Sequence, residues 1–174
     1  MICPHTTHKQ LMNPTEIEFE QLIKQNKSTI YTVCFMFSND QQQVDDMFQE
    51  TLINLWKGFG SFRRDCSPRT WIWRVSLNTC ISWQRRAARH ATEPLPMSIN
   101  LFEDTDAESR QIRMLRNRIH RLKPFDRAIV LLWLESMSYD EIGAIVGITA
   151  KNVGVRLLRI RQQLKTMTDD DNDE

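Results

Sequence analysis

The sequence predicts an all-α protein of two small helical domains joined by a flexible acidic linker. Apolar residues recur three and four positions apart through most of the 174 residues, which is the spacing of amphipathic helices. The chain holds only five glycines and two tyrosines, which argues against a β-rich fold. Residues 91–107 break the helical pattern with two prolines and a run of acids, so we interpret them as the linker.

The first domain is expected over residues 16–90, after a flexible N-terminus of residues 1–15. Ser67 and Pro68 are typical of the N-cap and the first position of a helix. A basic loop with the sequence GSFRRDCS precedes that helix. The apolar spacing predicts three helices, over Glu16–Phe37, Gln42–Phe59 and Arg69–Arg89.

The second domain is expected over residues 108–166, followed by an acidic tail of residues 167–174. The pair Lys123-Pro124 separates two predicted helices, and Ser138 with Glu141 forms a capping-box pattern at the start of a third. Gly147 supplies a turn and Thr149 the N-cap of the last helix. The predicted helices are Glu108–Leu122, Pro124–Glu135, Tyr139–Val146 and a basic helix that includes Lys151–Leu164.

The short helix, glycine turn and basic helix form the pattern of a helix-turn-helix. At about 100° per residue, one side of the last helix is apolar: Val153, Leu157, Ile160 and Leu164. The opposite side carries groups that can bind base edges and phosphates: Lys151, Asn152, Val155, Leu158, Arg159 and Gln162, with Arg156 and Arg161 on the flanks. A solvated basic face on an ordinary helix pair is the alternative interpretation.

The charge pattern agrees with a nucleic-acid partner. The net charge is only +1, yet residues 110–167 hold twelve basic and four acidic residues. Such a block indicates a localised face that binds a polyanion. Gly154 lies in the basic helix, where a glycine costs roughly 1 kcal/mol relative to alanine. Our hypothesis is that the missing side chain lets the helix approach a phosphate or base edge.

Other features exclude several classes of protein. No segment approaches the ~20 apolar residues that span a bilayer, and the N-terminus lacks the apolar core of a secretion signal, so a cytoplasmic location is expected. The four cysteines contain no C-x-x-C pair and are interpreted as buried or incidental thiols. Cys3, His5 and His8 allow a metal site only as a minor alternative, so no metal and no cofactor are expected.

Two blocks of the sequence resemble a known family. The segment VDDMFQETLINLWKGFGSFRRDCSPRTWIWRVSLNTCISWQRR is similar to region two of the bacterial sigma factors, and RLKPFDRAIVLLWLESMSYDEIGAIVGITAKNVGVRLLRIRQQL is similar to their region four. With only an acidic linker between the blocks, the chain is most similar to the extracytoplasmic-function subgroup. The resemblance implies a transcription initiation factor, not an enzyme, that binds RNA polymerase core, recognises the −35 and −10 promoter elements and promotes melting.

The resemblance also implies roles for individual residues. The contact with the coiled coil of the largest polymerase subunit maps to Asp45, Asp46, Gln49 and Glu50, supported by Leu52 and Trp56. The −10 element maps to the loop and helix that carry Phe62, Arg63, Arg64, Ser67, Arg69, Trp73, Asn78, Arg85 and Arg86, whereas Trp71 matches a packing residue. The −35 element maps to Ser138, Tyr139, Lys151, Asn152, Gly154, Val155, Arg156 and Arg159.

Further partners follow from the same resemblance. The flap of the second-largest polymerase subunit and an anti-sigma factor, in many relatives membrane-anchored, are expected to bind a chain that is monomeric when free. The linker acids Glu103, Asp104 and Asp106 match a segment that threads the RNA-exit path, or they serve only solubility. Many relatives carry lysine and serine at the positions of Gly154 and Val155, so the resemblance places these two residues at the −35 element without implying which side-chain contacts they make.

Two other functions remain as alternatives from the sequence. A stand-alone helix-turn-helix regulator that binds an operator as a dimer would need a dimer interface or a ligand pocket. It would also leave the acidic-then-aromatic order of residues 44–86 unexplained. A nuclease or nucleotide hydrolase is disfavoured because the sequence contains no P-loop, no paired metal-binding motif and no nucleophile–base set.

Overall fold

A computed structural model describes residues 13–38, 40–62, 65–90 and 110–167, with the side chains of Pro14, His90 and residues 110–113 excepted. Within these ranges the protein contains helices and no strand, which confirms the all-α prediction. The helices are α1 (Pro14–Phe35), α2 (Gln41–Phe59), α3 (Pro68–His90), α4 (Arg110–His120), α5 (Pro124–Leu134), α6 (Tyr139–Val146) and α7 (Ala150–Thr166). The predicted linker, N-terminus and acidic tail lie outside the described residues, apart from Asn13–Thr15 and Met167.

Side-chain caps determine where several helices begin. At α1 the Asn13 side chain accepts from Thr15 and the Glu16 carboxylate accepts from the Asn13 N–H, which forms a capping box. At α3 the Ser67 hydroxyl accepts the Thr70 N–H at 3.1 Å. Each cap satisfies amide groups that have no partner inside their own helix. The predicted capping residues therefore act as expected at α3.

The helices α1, α2 and α3 pack against one another as a bundle with its own apolar core. The fully buried members include Ile30, Val33, Met47, Leu55 and Ile72. Burying side chains of this size contributes about 1.5–3 kcal/mol each relative to leaving them in water. Cys34 of α1 and Cys80 of α3 are buried in this core as free thiols, which agrees with the sequence interpretation. Their Sγ atoms lie 3.9 Å apart, a contact that the sequence did not predict.

The helices α4 to α7 form a second cluster around α5. Residues Ala128 to Leu132 of α5 are all buried, so this helix is surrounded by its neighbours over most of its length. The turn between α6 and α7 is formed by Gly147, whose φ of 80° lies in the left-handed region that favours glycine. Its N–H closes α6 by donating to the Gly143 carbonyl at 2.9 Å.

The two clusters contact each other through α3, α5 and α6. Arg74 Nη2 of α3 donates to the Ala144 carbonyl of α6 at 2.7 Å. Arg127 Nη1 of α5 donates to the Met36 carbonyl, which follows α1, at 3.3 Å. One arginine of each cluster therefore donates a hydrogen bond to a backbone carbonyl of the other cluster.

None of the helices in the described part of the chain is both long and apolar enough to cross a membrane.

Candidate nucleic-acid interface

The last helix, α7, presents one apolar and one polar side. Val153, Leu157 and Ile160 are buried, and Leu164 is half-buried, so the predicted core stripe is confirmed. The Thr149 hydroxyl accepts the Asn152 N–H at 3.3 Å and begins the helix at the predicted residue. The predicted outer side is exposed throughout: Lys151, Asn152, Val155, Leu158, Arg159 and Gln162. Cationic and amide groups on a helix seated by a preceding short helix can reach a DNA groove.

The first helix of this motif, α6, begins beside the same surface. The Ser138 hydroxyl and N–H both bond the Glu141 carboxylate, so Ser138 is engaged in the predicted capping box. These hydrogen bonds lower the pKa of Glu141 below its ordinary value. The ring of Tyr139, which is half exposed, lies against α7 at Gly154. Tyr139 and Gly154, both predicted for the −35 element, are therefore brought together.

The cationic residues of α7 have different surroundings. Arg156 forms an ion pair with Asp126 of α5 at 2.9 Å, and its guanidinium lies 4.9 Å from the Phe125 ring centroid. Arg161 lies over the Trp133 ring at 5.8 Å. Arg159 and Lys151 are exposed on the outer side. Arg156 is thus held in a fixed direction at the edge of the face, whereas Arg159 projects from its centre.

The acidic segment predicted to bind polymerase lies on the outside of α2. Asp45, Asp46 and Gln49 are exposed, and the Gln41 amide donates to Asp45 at 2.9 Å. Both carboxylate oxygens of Glu50 accept a hydrogen bond from Arg86 Nη2 of α3 at 2.7 Å. This ion pair joins a residue of the predicted polymerase site to a residue of the predicted −10 site.

Two apolar residues of the same predicted site differ in exposure. Leu52 is partly buried against the bundle core. Trp56 is 45% exposed, with its ring set edge-on to Phe19 at 5.0 Å. Trp56 is consequently a large apolar side chain that the α2 surface offers to a partner, together with the exposed Ile53.

The loop before α3 carries an aromatic stack. The ring of Phe62 is stacked on Trp71 with centroids 4.8 Å apart and planes at 22°. Arg63 and Arg64 lie outside the described residues, whereas Ser67 caps α3 and Arg69 is exposed 3.5 Å from Glu135 of the second cluster. A stacked aromatic pair beside a basic loop can receive an unpaired base.

Residues of α1 border the same loop, although the sequence interpretation missed them. Gln21 and Gln25 line an open cleft together with Phe62, Asp65 and Cys66. Amide groups can pair with the edge of an unstacked base. No sequence signal identifies these glutamines, because polar residues on the outer side of an amphipathic helix are ordinarily solvated.

The expected −10 contact of Trp73 is wrong. Its side chain is 1% exposed and is packed in the core of the first bundle, so its ring is not available to stack on a base. Trp71 and Trp73 are two residues apart, which places them on different sides of α3, and Trp71 is the one beside the loop.

Asn78 and Arg85 line a cleft between α3 and the residues Phe125, Ile145 and Val146 of the second cluster.

Arg127 and His120 form a buried polar group that the sequence interpretation also missed. Arg127 donates to the carbonyls of His120, the last residue of α4, and of Leu122 in the turn that follows, and its guanidinium lies 5.3 Å from the Phe37 ring. Burial lowers the pKa of Arg127 to about 10. Burial, together with the charges of Arg127 and Arg116, lowers the pKa of His120 to about 4. This arginine binds carbonyl groups at a helix end, a role that no sequence period reveals.

The described residues contain no group of three histidine, cysteine or acidic side chains that could hold a metal ion.

Comparisons with known proteins give matches to both clusters. Residues 22–90 match the family described as Sigma-70 region 2, and residues 112–164 match Sigma-70, region 4. The ECF RNA polymerase sigma factor SigE of Mycolicibacterium smegmatis is 30% identical over 158 residues, covering 84% of this chain and 60% of that protein. This chain therefore spans about three fifths of that relative's length. RNA polymerase sigma factor YlaC of Bacillus subtilis is 27% identical over 154 residues, covering 84% and 89%.

Solved structures have the same fold. The sigma factor RpoE in complex with the anti-sigma factor NepR from Bartonella quintana has a TM-score of 0.72 at 19% identity, covering 85% of this chain and 94% of that one. CnrH in complex with the cytosolic domain of CnrY has a TM-score of 0.63 at 25% identity, covering 88% and 89%.

Proposed function

Because the chain belongs to the sigma-70 family of transcription initiation factors, in its extracytoplasmic-function subgroup, we propose that it directs bacterial RNA polymerase core to promoters. Members of this family are not enzymes; the polymerase performs the chemistry. The proposed organisation is a polymerase and −10 domain over residues 16–90, a linker over 91–107 and a −35 domain over 108–166, flanked by terminal segments 1–15 and 167–174.

The observation that carries the proposal is the outer side of α7. Its exposed Lys151, Asn152 and Arg159 project from a helix that α6 supports across a glycine turn. In the proposed complex this side enters the major groove at the −35 element. Tyr139 and Ser138 approach the same duplex from the start of α6, and Arg156, held by Asp126, binds at the edge of the groove.

Polymerase core is proposed to bind the outer side of α2. The exposed carboxylates of Asp45 and Asp46 and the amide of Gln49 offer acceptors to a basic partner, and the exposed Trp56 offers apolar area. Glu50 and Leu52 support this surface from behind, because Glu50 is paired with Arg86 and Leu52 packs on the core. Trp56 meets the usual description of an interface anchor.

The −10 element is proposed to bind between the loop of residues 60–67 and α3. The Phe62–Trp71 stack supplies a platform for a base of the single strand, while cations hold its phosphates. The residues assigned are Phe62, Arg63, Arg64, Ser67, Arg69, Asn78, Arg85 and Arg86. Asn78 and Arg85 are exposed and line a cleft beside the second cluster, so in this assignment the DNA strand runs along that cleft.

The proposed partners include an anti-sigma factor. Two structural relatives are described in complex with other proteins, NepR in one case and the cytosolic domain of CnrY in the other. We propose that an anti-sigma factor binds the present chain as well. We also propose that the flap of the second-largest polymerase subunit binds its second cluster. Its proposed place of action is the bacterial cytoplasm, where core polymerase and promoter DNA occur.

The test is reconstitution with bacterial RNA polymerase core. The full chain is expected to co-elute with core in gel filtration and to start transcription from a subset of a promoter library, which core alone does not transcribe. A chain that shifts duplex DNA by itself but fails to bind core would instead be a stand-alone helix-turn-helix regulator.

A further inference from the structure

An apolar residue lies at the centre of the exposed side of α7. Val155 is 42% exposed and lines a shallow pocket with Asn152, Arg156 and Arg159. Valine is a weaker helix former than lysine or alanine, and methyl groups that stay in water contribute no hydrophobic stabilisation. Neither helix propensity nor burial within the chain therefore accounts for a valine at this position.

The helical position of Val155 gives it polar neighbours on both sides. At about 100° per residue, Lys151, Asn152 and Arg159 all lie within about 60° of it around the helix axis. Val155 is also the sixth residue of α7, within the first two turns, which are the part of a recognition helix that contacts base edges. A helix docked in the groove by its cations would bring Val155 closest to the bases.

The chemistry of a valine limits what it can recognise there. Its side chain has no polar atom, so it cannot bind a phosphate or the donors and acceptors of a base edge. The one apolar group that base pairs present in the major groove is the C5-methyl of thymine. A protein partner is a different candidate for this apolar side chain, but lysine, which neighbours Val155 at position 151, is depleted at the centres of protein–protein interfaces.

We propose that Val155 reads a thymine methyl group in the −35 element, between base or phosphate contacts of Asn152 and Arg159. This inference rests on the proposed function and deepens it by naming a base that the chain selects.

The test compares two promoter libraries with a randomised −35 region. One contains thymine and the other contains deoxyuracil, which lacks only the C5-methyl group. The full chain with polymerase core is expected to enrich thymine at one −35 position in the first library and to lose that preference in the second. In a single selected promoter, thymine→uracil at that position should weaken binding on the order of fourfold, the equivalent of burying one methyl group.

Variants assign the effect to the residue. Val155→Ala should bind thymine and uracil promoters equally, and Leu115→Ala, an equally exposed apolar residue of α4 (43%), should retain the fourfold difference. Because Val155 is exposed and alanine is the better helix former, Val155→Ala should melt at or slightly above the wild-type temperature. Promoter binding with no methyl effect, a methyl effect that survives in Val155→Ala, or a loss of polymerase affinity instead would overturn the inference and leave the proposed function intact. Failure of the wild-type chain to bind any promoter with core would contradict the proposed function itself.

Discussion

The ring of Tyr139 lies against Gly154, and a Cβ atom at Gly154 would be 3.3 Å from Cε2 of that ring. The sequence interpretation attributed this glycine to a close approach of the helix to DNA. The structure explains the glycine by a contact within the protein, because the missing side chain lets the aromatic ring of Tyr139 in α6 pack on the backbone of α7. The glycine thereby sets where the Tyr139 ring lies on the proposed DNA-binding side.

Gly154→Ala is expected to stabilise the fold slightly and to weaken promoter binding. Alanine gains up to ~1 kcal/mol of helix propensity, and the half-exposed Tyr139 ring can move away from the new methyl at a smaller cost. The displaced ring then no longer meets the duplex in its native position. Thermal melting and fluorescence anisotropy with polymerase core and a selected promoter measure the two effects.

The double variant Tyr139→Ala/Gly154→Ala is the control for this prediction. Without the ring, the methyl at position 154 has nothing to displace, so the two substitutions should be non-additive in promoter affinity. Additive losses would mean that Gly154 acts independently of Tyr139, as in the hypothesis drawn from the sequence.

Gly143 has a stricter requirement for a small residue. A Cβ atom built there lies 2.5 Å from the Ile148 carbonyl oxygen, and backbone atoms cannot move away as a tyrosine ring can. Gly143→Val should therefore destabilise the protein by about 1–3 kcal/mol, the usual range for overpacking. Urea unfolding followed by circular dichroism measures this loss. A Gly143→Val protein as stable as Gly154→Ala would show that the α6–α7 turn adjusts freely.

The helices could be predicted well and the contacts between them could not. Local signals such as the Ser138 and Thr149 caps and the prolines at positions 68 and 124 act within one turn, and α6 has the predicted bounds. The role of Arg127 depends instead on carbonyl groups brought from other helices, and the burial of Trp73 depends on which side of α3 faces α1 and α2. Neither arrangement leaves a period in the sequence.

The proposed division of labour predicts opposite effects for two charge changes. Asp46→Arg reverses an exposed charge of α2 and should reduce binding to polymerase core while preserving the helix content. Arg159→Ala should leave core binding unchanged and weaken binding at the −35 element by about 1–3 kcal/mol if the arginine pairs with a guanine. Gel filtration with core and competition between promoters with altered −35 elements measure each effect. Equal losses of both activities in both variants would contradict the assignment of separate surfaces.

His120 should make the stability of the protein fall in mild acid. Its pKa is about 4 in the folded protein and near 6.5 when unfolded, so between these values the unfolded chain binds more protons. The stabilisation is fully present above pH 6.5 and is lost as the pH falls towards 4, by at most about 3 kcal/mol. Urea unfolding at pH 7.5 and pH 4.5 should give a smaller difference for His120→Gln than for the wild type. An equal difference in both proteins would assign the acid sensitivity to other groups.

Arg74 should hold the two helical clusters together. Its guanidinium donates to the Ala144 carbonyl at 2.7 Å, in the last turn of α6, where carbonyl groups have no partner inside the helix. Arg74→Ala removes this bond and should widen the distribution of distances between the clusters without changing the helix content. Small-angle scattering of the full chain should then give a larger radius of gyration, and circular dichroism an unchanged spectrum. Arg89→Ala is the matched control, because the Arg89 guanidinium donates to the Arg85 carbonyl within α3. If Arg74→Ala and Arg89→Ala scatter alike, this bond does not hold the clusters together.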